Sequence, residues 1–314
     1  MMRIVFCGTP EFAVPALRAL LADSFFSVEA VVTQPDRPKG RGHAVSASPV
    51  KGVALEAGVR VYQPESIKSD SALDFFKRLA PDAVVIIAYG QIIPQHLIEI
   101  PRLGWINLHA SLLPKYRGAA PIAWAIVNGE TTTGLTTMQI DAGMDTGPIL
   151  LQREMDIGPQ ETAPELARRI SEAGAPLMVE SLRKLERGAI TPRAQDASQA
   201  SYAPLLKKEQ GRIDWSNSAQ RIHNRIRGLA PWPGAYSTFR GQLCHVWGRP
   251  AENAGAASGG QPGSLIASGD DIQIFCGEGT RLLLDAVQME ARKRVTAREF
   301  VNGARPAPGE RFGA

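Results

Sequence analysis

Residues 83–114 read AVVIIAYGQIIPQHLIEIPRLGWINLHASLLP. Ala83–Ala88 is apolar at every position, as expected of a strand buried on both faces. Trp105–His109 is a second strand and ends on polar residues. Upstream, Arg3–Cys7, Val28–Thr33 and Val59–Tyr62 are further strands. The stretches Ala13–Ala22, Val50–Ala57, Ala72–Leu79 and Ala119–Val127 have helical character. Strand and helix alternating in this way predict an α/β fold, an open and mostly parallel sheet with helices on both faces. Leu135–Ile140 and Ile149–Met155 add two strands around the turn-like DAGMDTGP. The long helix Thr162–Glu186 closes this first domain, residues 1–189.

The texture then changes. Residues 190–206 have little periodicity and read as a linker. In residues 207–314 a helix at Ser218–Gly228 precedes short strands at Tyr236–Phe239, Leu243–Trp247, Ser264–Ala267, Ile272–Phe275 and Arg281–Val287. Short strands separated by glycine-rich turns predict a small β-barrel.

Composition narrows the class. The 314 residues are 44% hydrophobic and 21% charged, a globular balance that excludes a disordered chain. Cys7, Cys244 and Cys276 are too few and scattered for a disulfide framework or a Cys-x-x-Cys metal site, so a reducing cytoplasm is expected. MMRIVFCGTPEF is broken by Gly8 and Pro10 and reads as a strand, not a signal peptide. Nothing approaches the ~18 apolar residues of a membrane helix, so no membrane partner is expected. Charge is uneven: residues 1–206 hold 20 Lys and Arg against 21 acids, and residues 207–314 hold 15 against 10. The basic excess points to a polyanion, with ordinary surface variation as the alternative.

Asn107 and His109 are two apart on a strand, so both side chains face one way, at the end where open α/β sheets bind ligands. An amide and an imidazole together can donate to one carbonyl oxygen and stabilise its charge during acyl transfer. A polar pair ending a strand is the plainer reading. Asp141-Ala142-Gly143-Met144-Asp145-Thr146-Gly147 offers two carboxylates in a glycine-rich loop. A carboxylate beside His109 would fix its tautomer; alone, the loop reads equally as a solvated turn. The spacing matches no metal signature, and Gly8-Thr9-Pro10 is not a dinucleotide fingerprint. No P-loop or G-x-S-x-G elbow occurs, and Cys7 reads as a small core residue.

NLHASLLPKYRGAAPIAWAI, AYGQIIP and IDAGMDTGPIL together resemble the formyltransferases that use 10-formyltetrahydrofolate. FCGTPEFAVPAL, TQPDRPKGRG, SYAP, GRIDW and IRGLAPWPGA extend the resemblance to the branch whose acceptor is initiator methionyl-tRNA. The resemblance covers nearly the whole chain and weakens after about Ala251. It implies a Rossmann-like catalytic domain followed by an OB-like barrel. Asn107, His109 and Asp145 map onto the family's active centre. Ser111, Leu112, Leu113 and Pro114 map onto its folate site, and Ala88, Tyr89, Gly90, Asp141 and Gly143 onto its pterin pocket. The basic stretch 34–43 implies a tRNA-ordering loop, with Arg41 at the key position and Arg37 and Lys39 beside it. Lys207, Lys208, Arg212, Arg221, Arg225, Arg227, Arg292, Lys293, Arg294 and Arg298 are candidates for phosphate contacts, with the run Arg292-Lys293-Arg294 foremost, and Trp232 for a packing anchor. A monomer without an obligate protein partner is expected. An amino-sugar or glycinamide acceptor, release of the formyl group to water, and an idle RNA-binding scaffold are the competing expectations.

Overall fold

The computed structural model describes residues 1–39, 44–252, 260–268, 271–307 and 310–313. In chain order the first elements are β1 (Met2–Gly8), α1 (Val14–Ala22), β2 (Phe26–Val32), β3 (Arg37–Lys39) and β4 (Ala44–Ser46). There follow α2 (Pro49–Glu56), β5 (Val61–Tyr62), α3 (Asp70–Leu79), β6 (Ala83–Ile87), α4 (Gln95–Ile98) and β7 (Trp105–His109). Next come α5 (Pro121–Val127), β8 (Thr132–Gln139), β9 (Ile149–Asp156) and α6 (Ala163–Glu186). The remainder is α7 (Ala219–Gly228), β10 (Tyr236–Phe239), β11 (Gln242–Pro250), β12 (Leu265–Ser268), β13 (Asp271–Phe275), β14 (Arg281–Met289), β15 (Val295–Thr296) and α8 (Ala297–Ala304).

These elements form two compact units. Met1–Pro121, Thr132–Asp156 and Leu166–Pro204 make the first, and Ile122–Thr131, Ile157–Glu165 and Leu205–Ala314 the second. The first holds a sheet in the order β5-β2-β1-β6-β7-β8-β9. The strands from β5 to β7 are parallel, and β8 and β9 add antiparallel edges. All five residues of β6 are buried, which is why its run is apolar throughout. Ser48 and Ser69 cap α2 and α3 by accepting from the backbone N–H of Lys51 and Ala72. On the core side of α3, Phe76 packs 5.1 Å from Trp105, whose indole N–H donates to the Leu97 carbonyl at 2.8 Å.

The chain leaves β1 for β2 on one side and later returns to β6 on the other, so the loops after β1 and β6 meet. Thr9 Oγ1 and Gln34 Nε2 both donate to the Tyr89 carbonyl there. Such a switch point is where open α/β sheets make their crevice. Residues 190–204 are laid along this same unit rather than hanging free. Arg193 and Ile149 exchange backbone hydrogen bonds of 2.8 Å each. Arg117 N–H donates to the Ser201 carbonyl at 2.8 Å, and Ala203 N–H to the Arg117 carbonyl at 2.7 Å.

The second unit curls the antiparallel order β10-β11-β14-β13-β12 into a half-barrel, with β15 paired to β14. Trp215, Ile222, Phe239, Leu282, Phe300 and Phe312 fill its core. Both fold classes expected from the sequence are present. The helix α8 was not anticipated, although Thr296 and Glu299 form a capping box at its start. Trp232, expected as an anchor, is 56% exposed. All three cysteines are free and buried, and burial pushes the Cys244 and Cys276 thiols up to about 12. No helix among the described residues is long and apolar enough to cross a membrane.

Phe76 sits at the centre of the first core, so its truncation leaves a cavity. Phe76→Ala is expected to lower unfolding free energy by about 3–5 kcal/mol, read as an earlier urea midpoint for the first unit.

Candidate active site

The site is built on the carboxyl end of β7. β6 pairs with this strand on one side and β8 on the other, which fixes Asn107 and His109 in register. His109 is buried at 6% exposure. Its Nε2 lies 2.9 Å from the Tyr116 carbonyl oxygen. A carbonyl only accepts, so Nε2 carries the proton. Its Nδ1 faces Asp145 Oδ2 at 3.6 Å, an ion-pair separation longer than a hydrogen bond. The same Oδ2 accepts from the Gly118 N–H at 2.8 Å. The sequence-predicted trio is thus held in one place, across 38 residues of chain.

Asn107 differs from its neighbours. It is half-buried, and among the described residues its side-chain amide has no hydrogen-bond partner. A half-buried amide two places along the strand from this imidazole is a donor ready for an incoming oxygen.

The turn 111–114 is stitched to β8 and β9. Thr136 Oγ1 donates to the Ser111 carbonyl at 2.6 Å and accepts from Leu113 N–H at 3.1 Å. Gln152 Nε2 donates to the Leu113 carbonyl at 2.9 Å. Ser111 Oγ turns back to the Lys115 carbonyl, and Leu113 packs with Met138 and Ile149. Leu112 lies against Gly134, which has no room for a Cβ. Hence Ser111, Leu112 and Leu113 point their side chains at protein, and Pro114 stays half-buried.

The loop after β6 behaves alike. Ala88 adopts φ +48° and Gly90 φ +91°, both exposed, while the Tyr89 side chain turns into the core. Burial raises the Tyr89 phenol, whose oxygen has no partner among the described residues. Ile140 packs in the same core cluster as Tyr89. In the glycine loop, Asp141 Oδ1 accepts from Gly143 N–H at 3.0 Å and Thr146 Oγ1 at 2.7 Å. Met144 stands 62% exposed at its tip. Among the described residues no cluster of three His, Cys, Asp or Glu is placed to hold a metal.

Of the basic candidates, Arg41 lies outside the described residues, Arg37 is exposed in β3, and Lys39 ends the same strand. Lys207, Lys208, Arg292 and Lys293 are exposed, and among the described residues none pairs with a carboxylate. The Arg294 guanidinium stacks 4.1 Å over the Trp247 ring.

Comparison with known proteins adds to this geometry. The family model described as formyl transferase matches residues 2–182, and that described as its C-terminal domain matches residues 205–305. Proteins named methionyl-tRNA formyltransferase from Solibacter usitatus and Koribacter versatilis are 54% and 49% identical over 313 residues, 99% of each chain. The chain belongs to the methionyl-tRNA formyltransferase family. Among solved structures, WlaRD, a sugar 3N-formyl transferase crystallised with dTDP and 5-N-formyl-THF, superposes with a TM-score of 0.68. It is 19% identical and covers 93% of this chain and 99% of its own, a likeness of fold.

Sequence reading of this formyltransferase missed the groups that hold the trio. The Tyr116 carbonyl and Gly118 N–H are backbone atoms, which no residue type announces. Gln195 and Arg117 also touch the loop or its supports, and Gln195 lay in the stretch read as linker. Thr136→Val removes one hydroxyl that serves two buried backbone groups. It is expected to cost about 1–3 kcal/mol in urea unfolding, because both groups lose their partner.

Proposed function

We propose that the chain transfers the formyl group of 10-formyltetrahydrofolate to the α-amino group of methionyl-initiator tRNA, with Asn107, His109 and Asp145 as its active centre. The observation that carries this reading is the Asn107 amide, unpartnered among the described residues, two places along β7 from an imidazole bonded to the Tyr116 carbonyl and facing the Asp145 carboxylate at 3.6 Å. Identity of 54% along the full length of a named relative supports the acceptor.

The residues present fit the donor. Ala88, Gly90 and Gly143 are exposed backbone positions, and Tyr89, Ser111, Leu112 and Leu113 shape the walls behind them. With Pro114 and Asp141 they form the folate-binding set. When bound, the folate supplies a formyl carbon already activated for acyl transfer.

An α-amino group has a reference pKa of about 8, so part of it is neutral near pH 7 and needs no side-chain nucleophile. The amine nitrogen bonds to the formyl carbon, the bond from that carbon to N10 breaks, and the amine's proton ends on the departing nitrogen. Asn107 donates to the formyl oxygen as it gains charge. His109 shares its Nε2–H between the Tyr116 carbonyl and that oxygen. Asp145 keeps the ring oriented, and the proton passes through water. Arg37, Lys39 and Arg41 meet the acceptor end of the tRNA; Lys207, Lys208, Arg292, Lys293 and Arg294 track its phosphates. The enzyme works as a single chain in the cytoplasm.

Asn107→Ala is expected to lower single-turnover transfer by about 10²–10³-fold while folate binding persists. Transfer at the wild-type rate would remove the amide from the mechanism. Replacing Arg292 and Lys293 together by Ala is expected to weaken tRNA binding and to reduce the slope of log K against log salt by about 2, measured by filter binding.

A further inference from the structure

Gln195 lies in the aperiodic stretch that follows α6, and its side chain joins two backbone segments. Its Nε2 donates to the Asp145 carbonyl at 2.9 Å and to the Gly147 carbonyl at 2.8 Å. Its Oε1 accepts from Arg117 Nε at 3.1 Å and from Arg117 Nη2 at 2.8 Å. Arg117 is 4% exposed, so its charge is turned inward and not offered to a phosphate. The residues flanking Arg117 are the ones that meet the site: Tyr116 presents its carbonyl to His109, and Gly118 its N–H to Asp145. One amide therefore spans the two supports of one imidazole.

Asp145 requires such a hold. Its φ of +54° lies in the left-handed region, which a non-glycine residue keeps only where its surroundings impose it. Behind it, a Cβ on Gly147 would strike the Gln139 carbonyl oxygen, so the turn is pressed against the end of β8. Gln195 grips the other side. The amide has a single orientation, because guanidinium N–H groups only donate and carbonyls only accept.

We propose that Gln195 is a positioning residue for formyl transfer: it sets the Asp145 carboxylate against His109, and Arg117 locks the amide that does so. This rests on the active centre proposed above. A glutamate at 195 would still serve Arg117 but would turn an acceptor oxygen on two carbonyls. A methionine would serve neither partner while filling the same space.

The test uses the full chain carrying Gln195→Met, compared with Asp145→Ala and with both together. Single-turnover transfer to methionyl-tRNA should fall roughly 10–100-fold in Gln195→Met, as for a small misplacement of a catalytic group. The KM for the folate and the Kd for the tRNA should move less than about threefold. In the Asp145→Ala background, Gln195→Met should change the rate less than about twofold, since it acts through the missing carboxylate. Without substrates, the ¹⁵N signals of the His109 ring should shift in Gln195→Met toward those of Asp145→Ala. Wild-type rate and ring signals in Gln195→Met would overturn the proposal. So would rate losses that multiply in the double variant, the mark of a merely structural role. If Asp145→Ala transfers normally, the active-centre reading fails first; if it is impaired and Gln195→Met is not, only this inference fails. Should Gln195→Met leave Arg117 stranded and unfold, Arg117→Met with Gln195→Met removes both polar groups and carries the same expectations.

Discussion

A buried imidazole has two nitrogens to place, and at His109 the first unit sets a group against each. The Tyr116 carbonyl takes one side and the Asp145 carboxylate faces the other. Both supporting residues sit at positive φ without being glycine, at +59° and +54°. Each is a conformation that needs outside support. The support comes from different directions: Ser201 Oγ receives the Tyr116 N–H, and Gly118 N–H meets the Asp145 carboxylate. Strand pairing on both sides of β7 keeps the ring where those groups can reach it. Beside this frame, the Asn107 amide has no hydrogen-bond partner among the described residues.

The sheet was legible because burial on both faces demands an uninterrupted apolar run, and β6 has one beside β7, whose apolar residues are broken only by Asn107 and His109. Asn107, His109 and Asp145 were legible because their residue types and spacing carry a chemical pattern and a family resemblance. Gln195 was not, since one polar residue in an aperiodic stretch gives no sign that it bonds to a loop 50 residues earlier. Backbone partners such as the Tyr116 carbonyl have no sequence signature at all. The capping box at Thr296 and Glu299 was readable, yet the helix it starts is short and follows a run of strands. Nothing local marks residues 122–131 and 157–165 as part of the second unit, because compactness is a property of long-range contacts.

Charge composition treated all basic residues of the last third alike, and the structure separates them. Arg227 is buried and donates to the Gly158 and Glu161 carbonyls at 3.1 Å each. Arg225 donates to the Gln210 carbonyl. Arg240 pairs with Glu310, holding that carboxyl down to about 2, and Arg249 pairs with Asp285. These side chains organise the half-barrel. Lys207, Lys208, Arg212, Arg221, Arg292 and Lys293 are exposed instead.

The interleaving of the two units has a practical side. Neither is a continuous stretch of chain, so cloning by family boundaries would not yield a self-contained catalytic half. A fragment ending near residue 182 would shed Arg193, Gln195, Ser201 and Ala203 and with them their hydrogen bonds to Ile149, Asp145, Tyr116 and Arg117. Chimaeras that trade acceptor specificity between relatives should therefore place their junction after Pro204, and carry the inserted segments of the partner unit along as cargo.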